Sequence, residues 1–350
     1  MINSVLLRFR IRDIAAVALI AALTPVTGSA QELVASGLMG AQGSAVGPYG
    51  HLYVTEGAAG RISRVNLRTG EVSTFHEGGL PLSVIGIGGV VDVLFINRTA
   101  YALVTLVGEF GGGVDGIYRI DGPDKATLVA DLGAYSAANP PATAFALHNG
   151  VFYALEAYDG GFLVSDGHHN RVLQVSRRGK IDVFRAFDNI VPTGMETLDD
   201  AVFMAQAGPV PHLPENGAIV AFWPKLPFVA AIAAGAPLLV DVELGRDRAL
   251  FGLAQGYWPH ADIPENAGLP AAEGAGSLVR VDADGRFEMI TEALNQPTSL
   301  EIIGNDAYVV SLAGTVVKIA DVLGTRSRHK YRRHDHDHDY DYDRGDYHHH

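Results

Sequence analysis

The chain has 350 residues, 48% of them apolar and only 19% charged, so it can bury a sizeable core within one large domain. A net charge of −13 disfavours nonspecific nucleic-acid binding, and the absence of cysteine excludes disulfides, thiolate metal sites and thiol nucleophiles. The 41 glycines supply the turn density that a many-stranded protein needs.

Arg8, Arg10 and Arg12 precede an apolar run over 14–26, and the small residues Gly28 and Ala30 follow it. These are the three regions of a secretory signal, with cleavage expected after Ala30. The apolar run is about 13 residues, short of the roughly 20 that span a bilayer, which argues against a retained anchor. The mature chain is therefore expected to be secreted or periplasmic, with no stable membrane span.

Residues 31–38 read as a lone strand and a turn. A unit of four short strands follows over 42–77, with turns at Pro48-Tyr49-Gly50 and Thr69-Gly70. A second unit runs from 88 to 132. Its Gly-rich loop 108–116 lacks the Gly-Lys-Ser/Thr ending and the following helix of a phosphate loop. Residues 134–150 form a Pro- and Ala-rich connection with room for a short helix. The clearest unit spans 153–187, where Asn170 to Ser176 alternates strictly and turns fall at Asp166–Asn170 and Arg177–Lys180. A fourth unit covers 190–234, with a strand or short helix at its end. A fifth covers 238–292 and carries the long loop 258–276. A sixth, 296–322, stops one strand short.

Four antiparallel strands recurring at a long period describe one propeller blade. The extra strand at 31–38 and the missing strand after 322 cancel if the N-terminal strand completes the last blade. Closure of that kind removes an exposed sheet edge. The expected fold is an all-β, six-bladed β-propeller over 31–325, between the signal at 1–30 and the tail at 326–350. A seventh blade would have to lie hidden in 134–152. The tail has almost no aliphatic residues and six Lys/Arg against six Asp, so it reads as disordered and the −13 belongs to the body.

The stretches 42–56, 90–96, 153–175, 190–222 and 277–311 together resemble the ScyD/ScyE family of secreted β-propellers. The fourth unit carries the likeness best, with its Val191-Pro192-Thr193-Gly194 start, Pro-containing loop and Gly217-Ala218 strand. Asp166…Asn170-Arg171-Val172 is also similar to the NHL repeat. The resemblance implies a six-bladed, NHL-like propeller outside the cytoplasm. Members are named for a link to biosynthesis of the indole pigment scytonemin, and most have no assigned chemistry. The second unit and the tail depart from the family pattern, so a pigment role is not carried over.

Propellers bind at the mouth of the central channel, where the innermost strands converge. The innermost strands here start at Gln42-Gly43-Ser44, Asp92, Glu156, Thr193 with Glu196, Asp241 with Glu243, and Thr298 with Glu301. Acidic groups on several of them are candidates for an oxygen-ligand ring for Ca2+ or Mg2+. The competing reading is that they cap backbone N–H groups between blades. Six-bladed gluconolactonase-like hydrolases hold a divalent metal with Glu, Asn and Asp from different blades, but their Glu-x-Pro-x-Trp start is absent here. Asp166-Gly167-His168-His169-Asn170 reads as a structural turn, since Asp and Asn satisfy local backbone groups. His212 and His260, each beside Pro in a long loop, are loop candidates. In the tail, His334, His336 and His338 alternate with Asp and are expected to capture Zn2+, Ni2+ or Cu2+ adventitiously.

The expected function is binding of a small molecule or an extracytoplasmic protein at the channel mouth, with no certain cofactor and no nucleic-acid partner. The alternative is a metal-dependent hydrolase of the gluconolactonase type. No Gly-x-Ser-x-Gly elbow supports a serine hydrolase.

Overall fold

The computed structural model describes residues 30–142, 147–259 and 269–324. The signal segment, His260 and the tail histidines His334, His336 and His338 lie outside the described residues.

Six four-stranded antiparallel sheets stand around one axis. Blade 1 holds β2 (Ala41–Val46), β3 (Leu52–Glu56), β4 (Arg61–Val65) and β5 (Val72–Glu77). Blade 2 holds β6 (Gly89–Ile96), β7 (Thr99–Thr105), β8 (Gly116–Ile120) and β9 (Ala126–Asp131). Blade 3 holds β10 (Phe152–Tyr158), β11 (Gly161–Asp166), β12 (Arg171–Val175) and β13 (Ile181–Ala186). Blade 4 holds β14 (Pro192–Leu198), β15 (Ala201–Gln206), β16 (Ala218–Phe222) and β17 (Val229–Ala234). Blade 5 holds β18 (Leu239–Leu244), β19 (Leu250–Ala254), β20 (Gly276–Val281) and β21 (Phe287–Leu294). Blade 6 holds β22 (Pro297–Ile303), β23 (Asp306–Ser311) and β24 (Thr315–Ile319), and β1 (Gln31–Ser36) pairs with β24 as its outer strand. The ring therefore closes as expected from the two mismatched ends of the sequence. Among its described residues the connection 132–151 holds the helix α1 (Leu132–Ala138) and no strand; Asp131 caps the helix by accepting from the Ala134 amide at 2.8 Å.

The core is divided among the seams between blades. One apolar cluster fills each seam, from Tyr53, Ile62 and Val104 between blades 1 and 2 to Leu52, Val54, Val310 and Val316 between blades 6 and 1. Period-two alternation makes this possible, because each strand presents apolar residues to both neighbouring blades. The innermost pair of every blade has a register irregularity near its start, such as Phe152/Leu155 and Pro192/Met195. Bulges of this kind sharpen the twist that a wedge-shaped blade requires.

The two ends of the ring differ. Connections from second to third strand, and from outer strand to the next blade, lie at one end and include the long loops 78–88, 106–115, 132–151, 207–217 and 255–275. The other end has short turns such as 97–98, 159–160 and 199–200.

Candidate functional site

The innermost strands β2, β6, β10, β14, β18 and β22 pack in sequence around the channel. In each, the fourth residue of the shared motif packs back on the preceding blade, as Val93, Leu155, Met195, Val242 and Leu300 do. The third and fifth therefore reach toward the next blade. Third positions are Gly43, Asp92, Ala154, Gly194, Asp241 and Ser299; fifth positions are Ala45, Leu94, Glu156, Glu196, Glu243 and Glu301.

These side chains brace one blade to the next. Asp92 Oδ2 accepts from the Leu155 amide at 2.7 Å, and Oδ1 from its neighbour Val93 at 2.8 Å. Asp241 repeats the arrangement on the opposite side of the ring, accepting from Leu300 at 2.8 Å and Val242 at 2.9 Å. Ser299 Oγ accepts from the Ser44 amide at 3.1 Å. One tier along, the Thr197 hydroxyl donates to Glu156 at 2.9 Å, while Glu196 and Glu243 each accept from the amide of the residue that follows, Thr197 and Leu244, at 3.1 Å. The physical reason is the free edge of an innermost strand. Its channel-facing N–H groups have no neighbouring strand, and a carboxyl from the preceding blade satisfies them. Glu196 and Glu243 are near enough for each to influence the other's ionisation.

Burial is the main force that raises these acids, opposed by the amide hydrogen bonds and aided by neighbouring carboxylates. Asp92 and Glu156 are pushed up to about 8 and Asp241 to about 7. Glu196 is raised, and Glu243 and Glu301 stand well above the usual range. All six are half-buried in the channel wall.

The arrangement differs from the expected oxygen-ligand ring. Among the described residues no three His, Asp or Glu side chains are grouped to hold a metal ion. Asp92 and Asp241 each have both oxygens on backbone amides, and fifth-position acids are missing from blades 1 and 2, where Ala45 and Leu94 stand. This donor set does not fit a bound Ca2+ or Mg2+. The threonines also have partners: Thr193, buried, donates to Leu239 O at 2.9 Å, and Thr298 to Gln42 O at 2.7 Å.

Two glycines make room for the braces. A Cβ on Gly194 would stand 2.3 Å from Asp241 Oδ1 and 2.6 Å from its Cα; on Gly43, 2.5 Å and 2.6 Å from the same atoms of Asp92. Because backbone atoms are involved, no rotamer change relieves the clash. Gly194→Ala is expected to cost about 1–3 kcal/mol in denaturant unfolding; an unchanged midpoint would contradict the close approach.

At the loop-rich end a different group collects. Tyr153, 39% exposed, is the second residue of β10 and lies against Gly167, where an added Cβ would be 2.4 Å from its ring. His168 follows Gly167; burial is the main influence against its protonation, with smaller ones from His169 and His212. His212 Nδ1 pairs with Gly208 O at 2.8 Å, and its ring meets Trp258 edge-on at 5.4 Å. Burial lowers both histidines and pushes the Tyr153 phenol up to about 12. His212 was legible as a loop histidine. Tyr153 and His168 were not, although an aromatic at the position that is Thr193 or Thr298 in other blades marks Tyr153 out.

The turn 166–170 is structural apart from His168. Asp166, fully buried, accepts from Arg171 Nε at 3.0 Å and from Ser136 at 3.3 Å. Arg171 also donates to Asn139 O at 2.7 Å and pairs with His169 Nδ1 at 3.1 Å. The network ties α1 to blade 3. Glu56 and Arg61 repeat the acid–arginine spacing in blade 1, at 2.7 Å.

No family model and no curated protein matches this sequence. Solved structures share its fold. A gluconolactonase from Xanthomonas campestris superposes with a TM-score of 0.58 at 11% identity, over 83% of this chain and 90% of that one. Virginiamycin B lyase from Staphylococcus aureus gives 0.52 at 15%, over 83% and 98%. The calcium-binding protein regucalcin from Agrobacterium tumefaciens gives 0.55 at 12%, over 83% and 93%. At such identities the likeness is one of fold.

Proposed function

We propose that this protein is an exported binding propeller that holds a small molecule or a protein partner at the loop-rich mouth of its channel. The observation that carries this reading is the arc of loop-end residues in blades 3 and 4, with Tyr153 against Gly167 of the turn that holds His168 and His212 edge-on to Trp258. Near neutral pH the lowered imidazoles are uncharged and the phenol keeps its proton, so the arc offers neutral donors and acceptors on a rigid scaffold. The signal-like N-terminus supports export.

A thermal-shift screen of a chemically diverse small-molecule panel tests this on the full-length chain. A ligand at about 100 times its Kd adds roughly 2.7 kcal/mol, which is a Tm rise of roughly 5 °C. The rise is expected to vanish in the Tyr153→Phe/His168→Ala/His212→Ala variant. Ligands that stabilise both proteins equally would place binding elsewhere. The hydrolase alternative requires a gathered metal site, which the described residues do not present. Lactone hydrolysis with added Ca2+ or Mg2+ is expected to stay at the buffer rate; a chelator-sensitive rate lost in Asp241→Asn would restore that alternative.

A further inference from the structure

The loop-rich end has a surface chemistry of its own. None of its connections contains a Lys or Arg, and their charged residues, such as Glu109, Asp188, Glu215 and Glu273, are all acidic. The cations sit in the turns of the opposite end, at Arg68, Arg98, Lys125, Arg177, Lys180 and Arg246 among others. Arg61 and Arg171, which start third strands at the loop-rich end, are paired with Glu56 and Asp166. The same end exposes large apolar side chains on both sides of the ring: Leu82 53%, Val84 48%, Ile85 45% and Phe110 39% over blades 1 and 2, Val210 58% and Tyr257 67% over blades 4 and 5.

The Leu82 and Phe110 loops form one platform. A Cβ on Gly112 would stand 2.2 Å from Val84 Cγ2, and one on Gly113 2.7 Å from Pro81 Cγ. The apolar residues of this platform are thus held outward by packing between two loops. Exposed apolar side chains in several neighbouring loops mark an interaction surface.

From this distribution we infer that the loop-rich face docks a polypeptide segment, apolar along its length, with a Lys or Arg pointing into the channel mouth. The inference rests on the binding reading above and names its partner. Charge complementarity selects the cation, because the connections of this face carry acids such as Glu109, Asp188, Glu215 and Glu273 and no Lys or Arg. Position on the ring selects a polypeptide: blades 1–2 and 4–5 lie across the channel from each other, and an extended segment reaches both. A lipid surface fits less well. An anionic membrane is repelled by a face without cations, and a flat bilayer does not enter a recessed channel.

The test pans a random dodecapeptide library on the full-length chain and on its Ile85→Ser/Phe110→Ser variant. Peptides enriched on the wild type are expected to combine apolar residues with a Lys or Arg. For a labelled synthetic copy, fluorescence anisotropy should show about tenfold weaker binding when its cation becomes norleucine, with a similar loss on the variant. Enrichment of cation-free peptides, unchanged binding to the variant, or co-flotation of the protein with phosphatidylcholine vesicles would overturn the inference. If panning enriches nothing while the small-molecule panel still yields ligands lost in the Tyr153/His168/His212 variant, this inference falls and the binding reading stands. If both screens fail, both fall.

Discussion

Arg171→Ala is expected to lower unfolding free energy by roughly 3–5 kcal/mol, because it strips the guanidinium from a fully buried carboxylate. Asp166 and Arg171 side chains are 0% and 5% exposed, and their Nε–Oδ2 separation is 3.0 Å. The substitution also leaves Asn139 O without its Arg171 donor, removes the donor to the Ser136 hydroxyl, and removes the cation stacked 5.7 Å from the Tyr135 ring. For a domain of this size the Tm should fall by roughly 10 °C. Arg64→Ala, at an exposed position, should change stability by less than about 0.5 kcal/mol and serves as the control. Replacing the whole pair, Asp166→Asn with Arg171→Met, should cost less than Arg171→Ala alone, since no uncompensated charge stays buried. Calorimetry and urea unfolding measure all three. An Arg171→Ala protein as stable as wild type would mean that the network does not anchor α1 to blade 3.

The folded body should lose stability as pH rises from about 5 to about 8.5. The sign follows from the channel acids. Each is raised above its unfolded value, so the folded state binds more protons, and stability falls with pH between the two values. The penalty is absent below the ordinary carboxylate range near 4. It grows until the folded groups ionise, at about 7 for Asp241 and about 8 for Asp92 and Glu156. Glu56 and Asp306 work the other way. Burial would raise them, but Arg61 and Ser63 for Glu56, and Lys318 for Asp306, outweigh it and hold them low. Their contribution is lost only in strong acid, so the optimum lies near pH 5. Because the channel acids are only half-buried, the penalty is taken as on the order of 1 kcal/mol per group. Across the set this amounts to a Tm roughly 10 °C lower at pH 8.5 than at pH 5.5. Glu243→Gln should flatten the slope while leaving the pH 5.5 value nearly unchanged. A Tm that is flat or rising over this interval would show that water or a bound cation compensates the carboxylates fully.

Much of the fold was readable along the chain because a blade is a local object. The hairpin turns at 159–160 and 177–180 and the alternation of Arg171 to Val175 depend on neighbours within a few residues, and the structure has strands where those signals place them. Ring closure was readable from two ends that each mismatched by one strand. The site was less legible. Asp92, Glu156, Asp241 and Glu301 were correctly assigned to innermost strands, but whether a carboxyl there meets a metal or an amide depends on the next blade, 59 to 63 residues away in sequence for the Asp241–Leu300 and Asp92–Leu155 bonds.

The sequence by itself determined the blade, its repetition, the export-like N-terminus and the absence of thiol chemistry, since each follows from composition or from spacing within a strand or hairpin. Only the tertiary structure decided what the repeats do to one another. It set Asp92 and Asp241 against the free edge of the following blade, brought Tyr153 against the turn that holds His168, and gathered the cation-free connections on one end of the ring. Those outcomes come from closing six wedges about an axis, which makes neighbours of residues that no local pattern relates.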